Sequence, residues 1–418
     1  MDGPSIEKAV NQLANLGRDA LEPPVILDHA VINFEGVPLL CIHIPESPTK
    51  PVHLRGKPMD QAFIRSGATT RTASRPEIGN LMLHSRTPAW EDIHASLLVA
   101  EEELTTQLDV LPILKMLEKP TPSTGDEMRD WMENERFIST IPSGGGYITN
   151  LGAIAAAKKL SDFPDLSRKA FRVIVYDGLN KSKTKLEREG TKGYAVVFQA
   201  LIQFVMGKLP QSEVIEQALR QKKTVYPEIA LRELIANALI HQDFSISGTG
   251  PLIEIFDDRI EISNPGGLLP SKRLDRLIGT QPESRNEKLA KAFRRYKICE
   301  ERGSGLLKAG LEVELYGLPP IAFSSGSNHF KVTLHSPRTF AQMSPAERLQ
   351  ACYQHAVLKF YTASVMTNTT LRERLKMPEK QRSMVSVLIK EAIDEQLIKP
   401  ADPDNKSHKF AGYIPVWA

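Results

Sequence analysis

Cysteine is scarce in this chain, with three in 418 residues. Cys41, Cys299 and Cys352 stand far apart, and none falls in a CxxC pair. That spacing argues against a disulfide framework or a thiolate zinc site and fits a reducing, cytoplasmic setting. Long apolar runs are also missing. None approaches the roughly 20 residues that a membrane-spanning helix needs. The start, MDGPSIEKAV, has neither the basic region nor the apolar stretch of a signal peptide, so no membrane association is expected. Charge of one sign is not in excess either: 53 Lys and Arg face 50 Asp and Glu, a net charge of +3. Nucleic-acid binding would therefore need a local basic patch. Finally, there is no P-loop, GxxxxGK[ST]. Gly56-Lys57 is followed by proline and Gly207-Lys208 by leucine, which excludes a P-loop helicase motor.

What is present is ordinary soluble composition, 41% hydrophobic and 25% charged, in a chain long enough for two to four domains. Residues 5–18 read as a helix. "AVINFEG" and "VPLLCIHI" read as two strands turning at Glu35-Gly36, and Ala62–Arg65 as a short strand. One or two helices are expected over 96–118. Helix, strand, glycine turn, strand and helix follow to about residue 160, an order that suits a small winged-helix-like unit. "FRVIVYDG" reads as a buried strand and "KGYAVVFQALIQFVMGKL" as an apolar helix.

The stretch "RELIANALIHQDF" carries the most chemistry. Ala230, Leu231, Leu234, Ile235, Ala238 and Leu239 form an apolar stripe at helical spacing, predicting a helix over 228–242. Glu233, Asn237 and His241 fall four residues apart along another face. A carboxylate, an amide and an imidazole in one row suit specific work. The amide oxygen can hold a hard cation such as Mg²⁺, which shares phosphate oxygens and keeps waters. The carboxylate can orient or deprotonate a water. A solvated polar face is the plainer alternative for these three residues taken alone. After the helix come the strands "LIEIF" and "RIEIS", turning at Asp257-Asp258. The glycine turn "NPGG" follows, then a charged stretch, and then the turn "ERGSG", which opens onto a helix whose free N–H groups favour phosphate. The strand "HFKVTL" closes the unit.

The order "LRELIANALIHQDFS…IEIFDDRIEISNPGG…RNEKLA…ICEERGSG" resembles the GHKL (Bergerat) ATP-binding fold of gyrase, Hsp90, MutL and histidine kinases. It resembles more closely the GHKL-like domain of bacterial ATP-binding transcriptional regulators with the older label RecG-like. That resemblance implies an α/β (α+β) multidomain protein built on a GHKL-like sandwich. Its parts would be a partial Schlafen-type AlbA-like domain at 1–90, a winged-helix-like unit at 91–160, the GHKL-like domain at 161–338 and a winged helix-turn-helix at 339–418. It implies ATP and Mg²⁺ as ligands, with Asn237 holding the metal and Glu233 as the candidate water activator. The remaining nucleotide contacts would come from His241, Asp243, Asn264, Gly266, Gly267, Arg285, Asn286, Gly303, Ser304 and Gly305. The lid would be roughly 270–302. The sequence departs from the family at the first glycine box, where Ser263-Asn264 stands in place of the usual Asp. Asn264 can still accept a hydrogen bond from an adenine amino group, but without charge, so turnover is expected to be slow or absent.

The two ends carry the expected DNA contacts. "VPLLCIHIPESPTKPVHLRG…AFIRSGATTRTAS" resembles the second half of the AlbA domain, with Arg65 and Arg71 among its basic residues. The first half, which bears the family's acidic residues, has no counterpart, so nuclease activity is not expected. Residues 344–418 read as three helices and an aromatic hairpin over 408–417. Asn368 would cap the second helix, and 381–395 would be the recognition helix. Arg372, Arg374, Lys380 and Arg382 are the candidate phosphate contacts. A homodimer is left open. So are two other readings: a DNA-binding or assembly protein with a nucleotide-free scaffold, and a slow ATPase of DNA metabolism or phage defence.

Overall fold

The computed structural model describes residues 3–34, 36–44, 47, 49–66, 69–83, 89–142, 144–216, 219–299, 303–403 and 411–418. Glu35 of the first predicted turn, Glu301 and Arg302 of "ERGSG", and residues 408–410 of the terminal hairpin lie outside them. The chain folds as two compact units, Met1–Leu108 with Thr121–Ala153, and Asp109–Pro120 with Ile154–Ala418. The segment 91–160, expected to form one domain, is therefore shared. The physical reason is helix α4 (Leu111–Met116), whose Ile113 and Leu114 are almost fully buried and which packs on a helix of the second unit, Tyr194–Met206.

The first unit opens with α1 (Gly3–Asn15). Strands β1 (Leu21–Glu22) and β4 (His53–Leu54) pair with each other. Strands β2 (Asp28–Phe34) and β3 (Val37–His43) form the expected hairpin, with Phe34 opposite Val37. β5 (Phe63–Ser66) pairs with β6 (Thr69–Thr72), followed by α2 (Arg75–Leu83) and α3 (Glu101–Thr106). Then α5 (Gly125–Asn134), β7 (Ile138–Thr140), β8 (Gly146–Ile148) and α6 (Asn150–Ala156) follow in the order read from the sequence. Thr124 caps α5 by accepting from the Glu127 amide at 3.2 Å, a side-chain bond that satisfies one of the free N–H groups of the first turn.

The second unit is built on a six-stranded mixed sheet. β9 (Arg172–Tyr176), β10 (Thr184–Glu189), β13 (Leu252–Ile255), β14 (Arg259–Pro265), β15 (Ala322–Ser325) and β16 (His329–His335) lie in the order β10-β9-β13-β14-β16-β15. Only β9 and β13 run parallel to each other. A separate pair, β11 (Gln211–Glu216) and β12 (Leu219–Thr224), stands outside this sheet. The "IEI" alternation turns Ile253, Ile255, Ile260 and Ile262 into the core. The glutamates between them are buried as well. Glu254 accepts from Tyr176 Oη at 2.9 Å and Lys181 Nζ at 2.7 Å. Glu261 accepts from Arg259 at 2.7 Å and Lys331 at 3.0 Å, so both faces of these strands are covered.

Helices α7 (Tyr194–Met206), α8 (Glu228–Ile240) and α10 (Gly305–Leu315) pack together, with α8 lying on β14. The charged stretch between the glycine turns holds a helix not read from the sequence, α9 (Glu287–Arg295), whose Leu289, Ala290, Ala292 and Phe293 are buried. The chain ends in α11 (Pro345–Tyr361), α12 (Asn368–Arg374), α13 (Arg382–Asp394), β17 (Ile398–Pro400) and β18 (Tyr413–Pro415). One expectation is corrected here. Thr367, not Asn368, caps α12 through a capping box with Thr370, while Asn368 Nδ2 reaches α13 at Arg382 O and Ser386 Oγ. The partner of the terminal strand is residues 398–400, and Met366 bridges its other edge at Tyr413.

Candidate functional site

On α8, Ala230, Leu231, Leu234, Ile235, Ala238 and Leu239 are at most 6% exposed, so the stripe read from the sequence is the packed face. The second row does not face solvent. Glu233, Asn237 and His241 all line one cavity, and Glu233 is itself only 7% exposed. The floor of the cavity is apolar, formed by Ile262 and Val332 on β14 and β16 with Phe330 and Phe323 beside them. Asn264, 4% exposed, follows Ile262 on the same face of β14. Its Nδ2 donates to Pro265 O at 3.1 Å.

Both glycine turns require glycine. At Gly266 φ is +93°, and a methyl group there would lie 2.6 Å from Asp243 Cβ. The Asp243 amide donates to Pro265 O at 2.8 Å, so the end of α8 and the first turn are stitched together. Arg285 completes the clamp: Nη1 pairs with Asp243 Oδ2 at 3.1 Å and Nη2 donates to Gly267 O at 2.9 Å. Burial alone would raise the Asp243 carboxyl. The two Ser245 hydrogen bonds, together with Arg285 and Lys169, outweigh it and hold the group below the usual range. At the second turn, Gly303 has φ +69° and packs on Pro282. Gly305 begins α10, and a methyl there would fall 2.2 Å from Glu233 Oε2. The Glu233 carboxylate thus sits at the N-terminus of α10, where N–H dipoles favour negative charge.

Of the predicted nucleotide contacts, the cavity brings together Asn237, His241, Asn264, Gly267, Arg285, Gly303 and Gly305, with Glu233. Four others are not among the lining residues. Asp243 and Gly266 shape the first turn, and Ser304 is the residue before α10. Asn286 Nδ2 donates to Ile240 O at 2.7 Å and Gln242 O at 2.8 Å, pinning the end of α8, which fits its burial. Sequence reasoning missed Lys272, Thr280, Gln281, Glu283, Arg294 and Cys299, all of which line the cavity. Only the basic surplus of the stretch hinted at them.

Burial pushes His241 down to about 4, with Arg285 and Lys272 adding to the effect and Glu283 opposing it. The imidazole is neutral at pH 7 and can both donate and accept. A second groove meets the cavity at Glu233, Arg294 and Cys299, and Arg232, Lys297 and Lys308 line it. The two ends of the site therefore differ: basic groove, Glu233 carboxylate and helix N-terminus at one, and apolar floor, Asn264 and His241, with Arg285, Lys272 and Glu283 near the imidazole, at the other. Among the described residues no three His, Cys, Asp or Glu side chains gather to hold a metal. A single amide oxygen, Asn237 Oδ1, suits a hard cation that arrives with phosphate oxygens and waters rather than one held by the protein alone.

The expected DNA contacts divide sharply. Arg374 is corrected. Its side chain is 4% exposed, Nε lies 3.1 Å from Glu314 Oε1, and Nη2 donates to Leu318 O at 2.6 Å. Arg372 is also mostly buried and pairs with Glu379 at 2.6 Å. Both arginines hold elements together and leave no free guanidinium for phosphate. Lys380 and Arg382 are exposed, as are Lys376 and Lys390. In the first unit Arg65 is exposed, while Arg71 is taken up by two hydrogen bonds to Glu77 at 2.9 and 2.6 Å.

Residues 248–334 match the family described as "Putative ATP-dependent DNA helicase recG C-terminal". This segment is HATPase-like. It runs from β13 almost to the end of β16 and takes in both glycine turns, the charged stretch between them and α10, but not α8. In fold the chain is similar to the DIP2311 protein from Corynebacterium diphtheriae, at 14% identity over 97% of this chain and 79% of that one, with a TM-score of 0.50. No curated protein matches.

Proposed function

We propose that the chain is a cytosolic regulator that binds ATP with Mg²⁺ in the α8 cavity, and that the bound state biases DNA binding by the flanking segments. One observation carries the reading. Glu233, Asn237 and His241 of α8 face a single cavity with both glycine turns, and those turns lie in the segment 248–334 that is similar to ATPase domains. The phosphates would lie at the Gly303–Gly305 end, beside Arg294 and the N-terminus of α10. The base would lie on Ile262 and Val332, within reach of Asn264. Asn237 would hold the Mg²⁺ that comes with the phosphates, which there neutralises charge and fixes their orientation. Glu233 would orient a water. With a neutral Asn264 at the base end, binding rather than rapid turnover is the expected role. No helix among the described residues is long and apolar enough to cross a membrane.

For DNA, the supporting feature is the order of α11, α12, α13 and the β17–β18 pair. That order suits a winged helix, with α13 presenting Arg382, Ser383 and Lys390 to solvent. A second reading has its own support. Glu233 already sits against Gly305, where phosphate would be expected, which suits a DNA-binding or assembly protein whose cavity stays free of nucleotide. Calorimetric titration of ATP, with and without Mg²⁺, into wild type and Asn237→Ala separates the two. Mg²⁺-dependent heat that Asn237→Ala abolishes supports the regulator. No binding at millimolar ATP selects the scaffold.

A further inference from the structure

We propose that the C-terminal helices are a clamp on the lid of the cavity, so that the position of α11 governs how fast the cavity opens. The proposal rests on the nucleotide reading above for its consequence, but not for its mechanics. In the lid, successive residues face opposite ways. Leu277 and Thr280 line the cavity. Ile278, between them, is 5% exposed in the core formed by α11, α12 and α13. At Gly279 φ is +80°, and a methyl there would lie 2.0 Å from the Tyr361 ring. The lid backbone is thus pressed between the cavity and α11 with no room for a side chain.

Polar contacts fasten the same place. Tyr353 Oη donates to Asp275 O at 2.5 Å. Trp417 Nε1, from the far end of the chain, donates to Tyr353 Oη at 2.9 Å. The Arg276 guanidinium lies over the Trp417 ring, 5.6 Å from its centroid. A second arm reaches the other wall. Helix α10 starts at the cavity with Gly305, and Leu358 of α11 packs on Gly310. At its far end Glu314 takes His355 Nδ1 at 2.9 Å and Arg374 at 3.1 Å. One rigid set of helices therefore holds both the lid and the helix at whose N-terminus phosphate would lie. A movement of α11 that cannot bend this packed core must be shared by the lid. The coupling is reciprocal: a ligand that fixes the lid fixes α11.

Two readouts on the full chain test this. Hydrogen exchange of peptides covering 272–284 needs no ligand. Dissociation of a fluorescent ATP analogue, chased with excess ATP, reports the consequence. Tyr353→Phe removes both hydrogen bonds of Tyr353 Oη, of which the one to Asp275 O reaches the lid, and leaves the packing, so lid exchange should rise about three- to tenfold, the net worth of that bond. The double change Tyr353→Phe with Tyr361→Ala should raise it further and speed analogue release at least as much, while exchange in α8 stays unchanged. Unaltered lid exchange in both variants, each melting as a folded protein, overturns the clamp. If wild type binds no analogue, the nucleotide reading fails, and the exchange result alone decides the clamp.

Discussion

Arg374 separates a structural role from a DNA contact more cleanly than any other residue here. Replacing Arg374 by alanine removes the 3.1 Å pair to Glu314 and the 2.6 Å bond to Leu318 O, in a site where the side chain is 4% exposed. Glu314 would keep only His355. Removing one partner of a buried pair costs about 3–5 kcal/mol. In a unit of this size 1 kcal/mol moves the melting temperature by about 2 °C, so Arg374→Ala should melt about 6–10 °C below wild type by calorimetry. Replacing both partners, Arg374→Met with Glu314→Gln, should recover part of the loss, because no unpaired charge is then left buried and the amide can still hydrogen-bond His355. DNA affinity of that folded double variant should keep the wild-type salt slope. Lys380→Ala with Arg382→Ala should instead flatten the slope by about 1.8, at ~0.9 per phosphate contact. The reasoning is refuted if Arg374→Ala melts with wild type and flattens the slope itself.

Other expected outcomes follow from the same geometry. Because native His241 titrates near 4 against an ordinary 6.5, the unfolded chain takes up a proton in that window while the native one does not. Stability should therefore fall as pH drops from 6.5 towards 4, by up to about 3 kcal/mol; denaturant titrations across this range should show a flatter profile for His241→Gln. Gly305→Ala drives a methyl into Glu233 Oε2, so it should lower stability by about 1–3 kcal/mol and weaken ATP binding in the same titrations. Hydrolysis by wild type should stay below about 1 s⁻¹, the low end of ordinary enzymes; faster phosphate release that Glu233→Gln abolishes would restore an active ATPase.

How much of this was legible depends on the range over which each signal acts. The α8 stripe and the two glycine turns are local patterns, and each appears where the spacing puts it. Helix α9 was hidden because its four apolar residues, Leu289, Ala290, Ala292 and Phe293, are outnumbered by its five charged ones. Strands β10 and β15 close the two edges of the sheet, and β10 is largely exposed, so no apolar alternation marks it. Burial of Glu254 and Glu261 could not be read, because the groups that make it tolerable, Tyr176, Lys181 and Lys331, lie about 70 residues or more away. The same holds for Arg374, whose partner Glu314 is on another helix. A run of basic residues looks alike whether its members face phosphate or each has found a carboxylate.

The central claim, that the α8 cavity holds nucleotide, is tested most directly by photolabelling with 8-azido-ATP in the presence of Mg²⁺, followed by peptide mapping. The azide marks what surrounds the base, so the label should fall on peptides containing His241, Asn264 or Thr280–Arg285, be competed by ATP, and disappear in Asn237→Ala. Label that ATP does not compete, or that maps outside these peptides, would contradict it.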